Sequence, residues 1–134
     1  EAAPATYNDN AEHRVLEPYV YGQFVEGKDS PFAGRAHVHW LTGTASTVMV
    51  GTTEGILGLN PETKGIVIDP SIPSEWKEYT MDKTFRGKKL HVTVKNPNGS
   101  EHGVKSVTVN GEKIEGKLIL DSILKAENNI VIEL

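Results

Sequence analysis

The spacing of apolar residues changes its period once along this chain, near Asn60-Pro61. A chain that does so has two kinds of element to bury. From Gly65 onward the period is two. Leu90, Val92 and Val94 alternate with His91, Thr93 and Lys95, and Val107 and Val109 with Ser106, Thr108 and Asn110. Ile130, Ile132 and Leu134 alternate with Val131 and Glu133. Such alternation belongs to strands that turn one face to a core. Asn110-Gly111 is a two-residue hairpin signal, and Asn96-Pro97-Asn98-Gly99 reads as a turn or bulged loop. The pattern predicts about five to seven short antiparallel strands, hence a small β-sandwich.

Before Asn60 the spacing is helical. Leu41, Ala45, Val48, Met49, Thr52, Ile56 and Leu57 recur at intervals of three and four and define one helix face from about Thr42 to Leu57, stopped by Gly58. An earlier helix is expected to start at Pro18, with Tyr19, Val20, Phe24 and Val25 on its buried face and Gly27 at its end. Gly22 inside it costs about 1 kcal/mol. Lys28 to Arg35, with Pro31 and Gly34, reads as a loop, and Glu1 to Asn10 as irregular or frayed. Two short helices bury too little to stand alone. Residues 1–65 are therefore expected to be the tail of a larger helical domain, and residues 66–134 a separate β domain. The fold class is α+β.

Composition narrows the function classes. The chain has no cysteine, so disulfides, thiolate metal sites and cysteine nucleophiles are excluded. Its net charge is −4 and no basic stripe is present, so nothing points to nucleic acid. No apolar run reaches the length of a membrane span.

The chemistry concentrates in His39-Trp40-Leu41-Thr42-Gly43-Thr44-Ala45-Ser46. This places a Thr-Gly-Thr turn where a helix begins. The first turn of a helix leaves backbone N–H groups unpaired and carries the positive end of the dipole. Thr hydroxyls, with a Gly that lets a ligand approach the backbone, suit an anion there. Simple capping by Thr42 or Thr44 is the other reading. His37-Val38-His39 has strand spacing for two metal ligands, but no third ligand is evident and no metal is assigned. Trp40, Tyr19 and Tyr21 offer faces for a sugar ring or for core packing.

Other residues have plainer readings. Trp76 is expected to anchor the β domain to the helices, and Asp69 to hydrogen-bond the turn from Pro70 to Pro73. Arg86-Gly87-Lys88-Lys89 reads as a solvated turn. Asn98-Gly99-Ser100 fits a glycosylation pattern without any sign of secretion. Glu12, Glu17 and Glu26 are spaced too loosely to name as a catalytic pair.

Five ordered blocks carry a resemblance. They are Glu17-Pro18-Tyr19-Val20-Tyr21-Gly22-Gln23-Phe24, Trp40-Leu41-Thr42-Gly43-Thr44-Ala45, Ile56-Leu57-Gly58-Leu59-Asn60-Pro61, Gly65-Ile66-Val67-Ile68-Asp69-Pro70-Ser71-Ile72-Pro73 with Trp76, and Phe85-Arg86-Gly87. Together they resemble the closing segments of glycoside hydrolase family 94, the cellobiose, chitobiose and related β-glucoside phosphorylases. The resemblance runs from about residue 17 to residue 95, and the tail fits the family's C-terminal β domain only in style.

The resemblance implies the last helices of an (α/α)6 toroid followed by a jelly-roll-like β-sandwich. It implies an inverting glycoside phosphorylase, a glycosyl-transferring enzyme that cleaves a β-linked disaccharide or oligosaccharide with inorganic phosphate to give a sugar 1-phosphate. Phosphate is the co-substrate and no cofactor is implied. The family's phosphate-binding Thr-Gly pair falls on Thr42 and Gly43; His39 beside Trp40 is read as lining the sugar pocket, with packing in a loop or core as the other reading. The general-acid Asp and the remaining phosphate ligands are expected upstream, so this segment alone should be inactive and should need the rest of the catalytic domain. A homodimeric, cytoplasmic parent enzyme is also implied.

Four positions depart from the family pattern. His39 stands where Ser is frequent, Ser46 where Gly is frequent, Thr47 where an aromatic is frequent, and Asn60 where Arg is frequent. These leave the acceptor sugar open. The alternative to an enzyme segment is a non-catalytic carbohydrate-binding or structural β-sandwich module, against which the scarcity of aromatics after Trp76 counts.

Overall fold

The computed structural model describes residues 11–17 and 19–134. The opening expected to be irregular, Glu1 to Asn10, and the helix start expected at Pro18 lie outside those residues. The chain divides into two compact units, residues 1–50 and 51–134.

The first unit holds α1 (Ala11–Arg14), β1 (Gly22–Val25), β2 (Ala36–His39) and α2 (Thr44–Val50). Among the described residues 19–27 the helix expected from Pro18 to Gly27 does not form. In its place β1 pairs antiparallel with β2, Gly22 facing His39 and Phe24 facing His37. Phe24 and Val25 favour a strand, and Gly22 decides the matter. A Cβ at Gly22 would lie 3.0 Å from the Ala36 Cβ and 3.3 Å from Leu16 Cδ1, so any larger residue would make its neighbours give way where β1 closes on them. Gly27 opens the connecting loop, accepting from the Ser30 N–H at 3.0 Å, and the loop is closed by Glu26 N–H to Arg35 O at 2.8 Å. Leu16, Val20 and Ala36 are buried.

The second expected helix is present but wound in two ways. It is α-helical over Thr44–Val50 and π-wound over Gly51–Ile56, where the Leu57 N–H reaches back five residues to Thr52 O at 2.8 Å. Gly51, Thr52, Thr53 and Gly55 are poor helix formers, which weakens the tighter winding there. No residue of α2 is buried. Leu41 is 80% and Met49 70% exposed, with Val48, Val50 and Ile56 also open to solvent.

The second unit is a β-sandwich. One sheet has the order β5 (Glu78–Phe85), β6 (Lys88–Lys95), β10 (Glu127–Glu133), β7 (Ser106–Val109), β8 (Glu112–Ile114). The other has the order β3 (Leu59–Glu62), β4 (Gly65–Ile68), β9 (Leu118–Leu120). The hairpin of β3 and β4 straddles residue 65, where the two halves were expected to divide.

Both sheets feed one core. Leu59, Ile66, Ile68 and Ile119 come from the smaller sheet, and Leu90, Val92, Val94, Val107, Ile130 and Ile132 from the larger. Each such side chain, fully buried, contributes about 1.5–3 kcal/mol. The alternation legible in the sequence is the alternation found: Leu90, Val92 and Val94 are buried, while Lys89, His91 and Lys95 are exposed.

The sheet is not wholly antiparallel. β10 runs parallel to β6, Ile130 beside Val92 and Ile132 beside Val94, and antiparallel to β7. A period of two places a side chain on a face but says nothing of strand direction, which the connections set.

Two tight turns share one design. Asn110 and Gly111 join β7 to β8 with φ of 52° and 88°, and Arg86 and Gly87 join β5 to β6 with φ of 49° and 77°. Paired left-handed residues make the turn whose twist matches the flanking strands. Arg86 is more than solvated. Its guanidinium donates to Glu62 O at 2.9 Å and Thr63 O at 3.2 Å, clipping the β5–β6 turn to the β3–β4 turn.

Asp69 also departs from expectation. Its carboxylate takes both contacts from Lys117 Nζ, at 2.9 and 2.8 Å, rather than the Pro70–Pro73 turn. Trp76 meets Tyr79 edge-on, ring centroids 5.9 Å apart. Two buried asparagines are fully engaged. Asn96 donates to Trp76 O and Ser100 O and accepts from the Ser100 N–H. Asn128 donates to Lys89 O and Lys125 O, and accepts from the Lys125 N–H and from Asn110 Nδ2.

Candidate functional site

The site expected from sequence lies where β2 hands over to α2. The backbone there leaves the extended region at Val38 (φ 53°) and again at Trp40 (φ 68°). Side chains larger than glycine adopt such angles only when their surroundings hold them. For Trp40 the holders are visible. Its indole N–H donates to Glu17 Oε1 at 3.2 Å, and its ring meets Tyr19 edge-on with centroids 6.3 Å apart.

Past Trp40 the chain starts α2. Gly43 O accepts the first intrahelical bond, from the Thr47 N–H at 3.0 Å, and also the hydroxyls of Ser46 and Thr47. Thr42 Oγ1 accepts from the Thr44 N–H at 3.1 Å and lies 2.7 Å from Thr44 Oγ1. Thr42 thus satisfies one amide of the first turn, and its hydroxyl and that of Thr44 form a coupled pair. A Cβ built on Gly43 would meet nothing within 4 Å, so the backbone at that point is open to a ligand.

A cleft of about 180 Å³ adjoins this turn, lined by Tyr19, Val20, Tyr21, Trp40, Thr42 and Ala45. The structure therefore gathers Trp40 and Thr42 with both tyrosines around one concavity. Gly43 follows Thr42 at the exposed start of the helix. His39, at the end of β2, is exposed and faces Gly22 in register, outside the lining of the cleft. His37 is engaged elsewhere. Its Nε2 lies 2.9 Å from Glu26 Oε1 and its ring stacks on Phe24 at 4.8 Å. No group of three His, Cys, Asp or Glu that could hold a metal occurs among the described residues.

Glu17 belongs to this site, and sequence reasoning set it aside. Its carboxyl is held below the ordinary value of 4.5 by a hydrogen bond from its own backbone amide, then by the Trp40 indole and by the nearby charge of His39. It is therefore an anion at neutral pH, held against the Trp40 indole. No short-range spacing could have announced it, because its partner lies 23 residues away.

A polar, hydroxyl-lined helix start next to an aromatic cleft suits a small anion beside a sugar ring. Comparison with known proteins gives the family. Residues 1–58 match the family model of the glycosyl hydrolase 94 superfamily catalytic domain, and residues 59–115 that of the glycosyl hydrolase family 65 C-terminal domain. The chain is 41% identical over 115 residues to an N,N'-diacetylchitobiose phosphorylase of Vibrio proteolyticus, covering 86% of this chain and 14% of that protein. It is 42% identical over 112 residues to the N,N'-diacetylchitobiose phosphorylase of Vibrio furnissii, covering 84% and 14%. It is 33% identical over 113 residues to a solabiose phosphorylase of Paenibacillus borealis, covering 84% and 15%.

The chain belongs to the glycoside hydrolase 94 family and matches the C-terminal part of its phosphorylases. It spans about a seventh of the length of these curated relatives. No helix among the described residues is long and apolar enough to cross a membrane.

Proposed function

We propose that this chain is part of an inverting β-glycoside phosphorylase and that Thr42 and Gly43 hold the attacking phosphate. One observation carries the reading: Thr42 lines the same cleft as Trp40, Tyr19 and Tyr21, at a helix start where Gly43 leaves the backbone open. The match of this stretch to a glycosyl hydrolase 94 catalytic domain supports it.

In this reading a β-linked disaccharide or oligosaccharide lies against the aromatic cleft. Trp40 lines the sugar pocket, with His39 at its rim. An aspartic acid from the preceding part of the parent protein protonates the leaving oxygen. Phosphate attacks from the opposite face, in the place a water takes in an inverting hydrolase. Amide groups of the first helical turn and the Thr42 hydroxyl hold its charge. Thr42 Oγ1 already accepts from the Thr44 N–H, and when the Thr44 hydroxyl is the donor of the pair they share, the Thr42 hydroxyl proton is left for a phosphate oxygen.

This chain supplies part of the phosphate site and the β domain. In this reading residues 1–65 are assigned to the catalytic domain and residues 66–134 to the β domain, with β3 built into the sandwich. The solvent-exposed Leu41, Val48 and Met49 are the face on which the rest of the catalytic domain packs. The chain alone is inactive. Phosphate is a co-substrate and no other cofactor takes part. The parent enzyme is a cytoplasmic homodimer that uses neither nucleic acid nor membrane.

The test is product analysis of the full-length parent with β-linked disaccharides, with and without phosphate. The reading requires a sugar 1-phosphate of inverted anomeric configuration, formed only when phosphate is present. Phosphate-independent hydrolysis would overturn it.

A further inference from the structure

The sequence contains two Asn-Gly pairs, Asn98-Gly99 and Asn110-Gly111. Asn-Gly is chemically labile because glycine offers no side chain to hinder attack by its own backbone nitrogen. The fold treats the two pairs oppositely.

Asn110 is locked. Its Nδ2 donates to Asn128 Oδ1 at 3.1 Å, and its Oδ1 accepts from the Asn129 N–H at 2.9 Å. Its backbone N–H donates to Asn129 O at 2.8 Å. Asn128 is 1% exposed and tied to Lys89 and Lys125, so the lock is anchored in the core. To bring its side-chain carbonyl carbon onto the Gly111 nitrogen, Asn110 has to give up both side-chain bonds.

Asn98 is exposed in the β6–β7 connection. Among the described residues its side chain has no hydrogen-bond partner. The nitrogen that would attack it, that of Gly99, is held only by a long bond to Asn96 O at 3.3 Å. The loop around it is otherwise pinned at Asn96 and Ser100, on either side of the reactive pair.

We propose that Asn98 is a site of spontaneous deamidation in the folded protein, and that the Asn110–Asn128 contact shields the second pair from the same reaction. Hydroxide removes the Gly99 amide proton. The nitrogen then attacks Asn98 Cγ, a C–N bond forms, the bond from Cγ to Nδ2 breaks and ammonia leaves. Water adds to either carbonyl of the resulting succinimide and opens one C–N bond, giving aspartate or isoaspartate. The net change is consumption of one water and release of one ammonia. The product places a new carboxylate in the loop, and the isoaspartate form lengthens the backbone between Asn96 and Ser100.

The experiment incubates the protein at mildly alkaline pH and follows both positions by peptide mapping, with enzymatic methyl labelling to count isoaspartate. A parallel incubation in concentrated urea supplies the unfolded rates. Native Asn98 is expected to convert faster than native Asn110 by at least about tenfold, the ratio set by a local opening free energy of roughly 1.4 kcal/mol. In urea the two rates should converge, and Asn98→Gln should remove the native conversion at that position. Equal native rates, or a rate ratio unchanged by urea, would overturn the proposal.

Discussion

The indole N–H of Trp40 donates to the carboxylate of Glu17 at 3.2 Å, joining residues 23 positions apart. The bond holds a tryptophan whose backbone lies in the left-handed region, at φ 68°. It thereby fixes the wall of the cleft next to Thr42.

That bond should be lost in acid. Glu17 has a lowered pKa in the folded state, so its contribution is full above the ordinary value of 4.5 and falls away as pH drops through the lower folded value. In a Trp76→Phe background Trp40 is the remaining tryptophan. Its fluorescence should titrate with a midpoint below 4.5, and Glu17→Gln should abolish that transition. A signal flat through the acid range, or one unaltered in Glu17→Gln, would remove Glu17 from this role.

Gly58 and Gly87 both have positive φ, 72° and 77°, yet they should respond differently to alanine. A Cβ at Gly58 would collide with the backbone of Asp69 and Pro70, whereas at Gly87 it would meet nothing within 4 Å. Gly87→Ala should cost about 1 kcal/mol, the left-handed penalty alone. Gly58→Ala should cost at least about 2–3 kcal/mol more, because the backbone has to move. Urea melts of the two variants decide it, and equal losses would contradict the packing described.

How legible these features were differs between the halves. The β unit announced itself because Leu90, Val92 and Val94 repeat over a strand of eight residues and Asn110-Gly111 names its own turn. Gly58 was readable as a helix stop, although its close approach to Asp69 was not. β1 was hidden because its four residues are too short to show a period, and Tyr19, Val20, Phe24 and Val25 also fit a helix. The parallel pairing of β6 with β10 and the Glu17–Trp40 bond are products of tertiary closure, which local patterns do not encode. Thr42 and Gly43 were legible as the start of a helix, because a hydroxyl and a glycine mark such a turn.

Tyr79 offers a stabilising change. Its hydroxyl oxygen is buried and has no hydrogen-bond partner among the described residues, and burial pushes its pKa up to about 12. Tyr79→Phe should raise stability by about 1 kcal/mol, since an unsatisfied buried hydroxyl is removed. The wild type should also lose stability as pH rises from 10.0 toward about 12, where the unfolded phenol ionises and the folded one does not. Calorimetry across that range should show a smaller alkaline loss in Tyr79→Phe. A lower Tm for the variant at neutral pH would show that the hydroxyl has a partner.

The apolar face of α2 should drive association of the isolated chain. Leu41, just before α2, and Met49 on it are 80% and 70% exposed, with Val48 and Val50 also open to solvent, and neighbouring exposed apolar residues mark a contact surface. Leu41→Ser with Met49→Gln should reduce self-association in sedimentation velocity while leaving the melting of the β unit within about 0.5 kcal/mol. A wild-type chain that sediments as a monomer at every concentration would contradict this.

The central claim is that Thr42 and Gly43 hold phosphate. Steady-state kinetics of the full-length parent, with phosphate varied, measure it most directly in wild type and Thr42→Ala. Removing one charge-assisted hydrogen bond should lower phosphate-dependent kcat/KM by about 1.5–3 kcal/mol. Gly43→Val should be worse, because its side chain would fill the open space left for the ligand. The same phosphate dependence in wild type and Thr42→Ala, or turnover of a β-linked substrate without phosphate, would contradict the account.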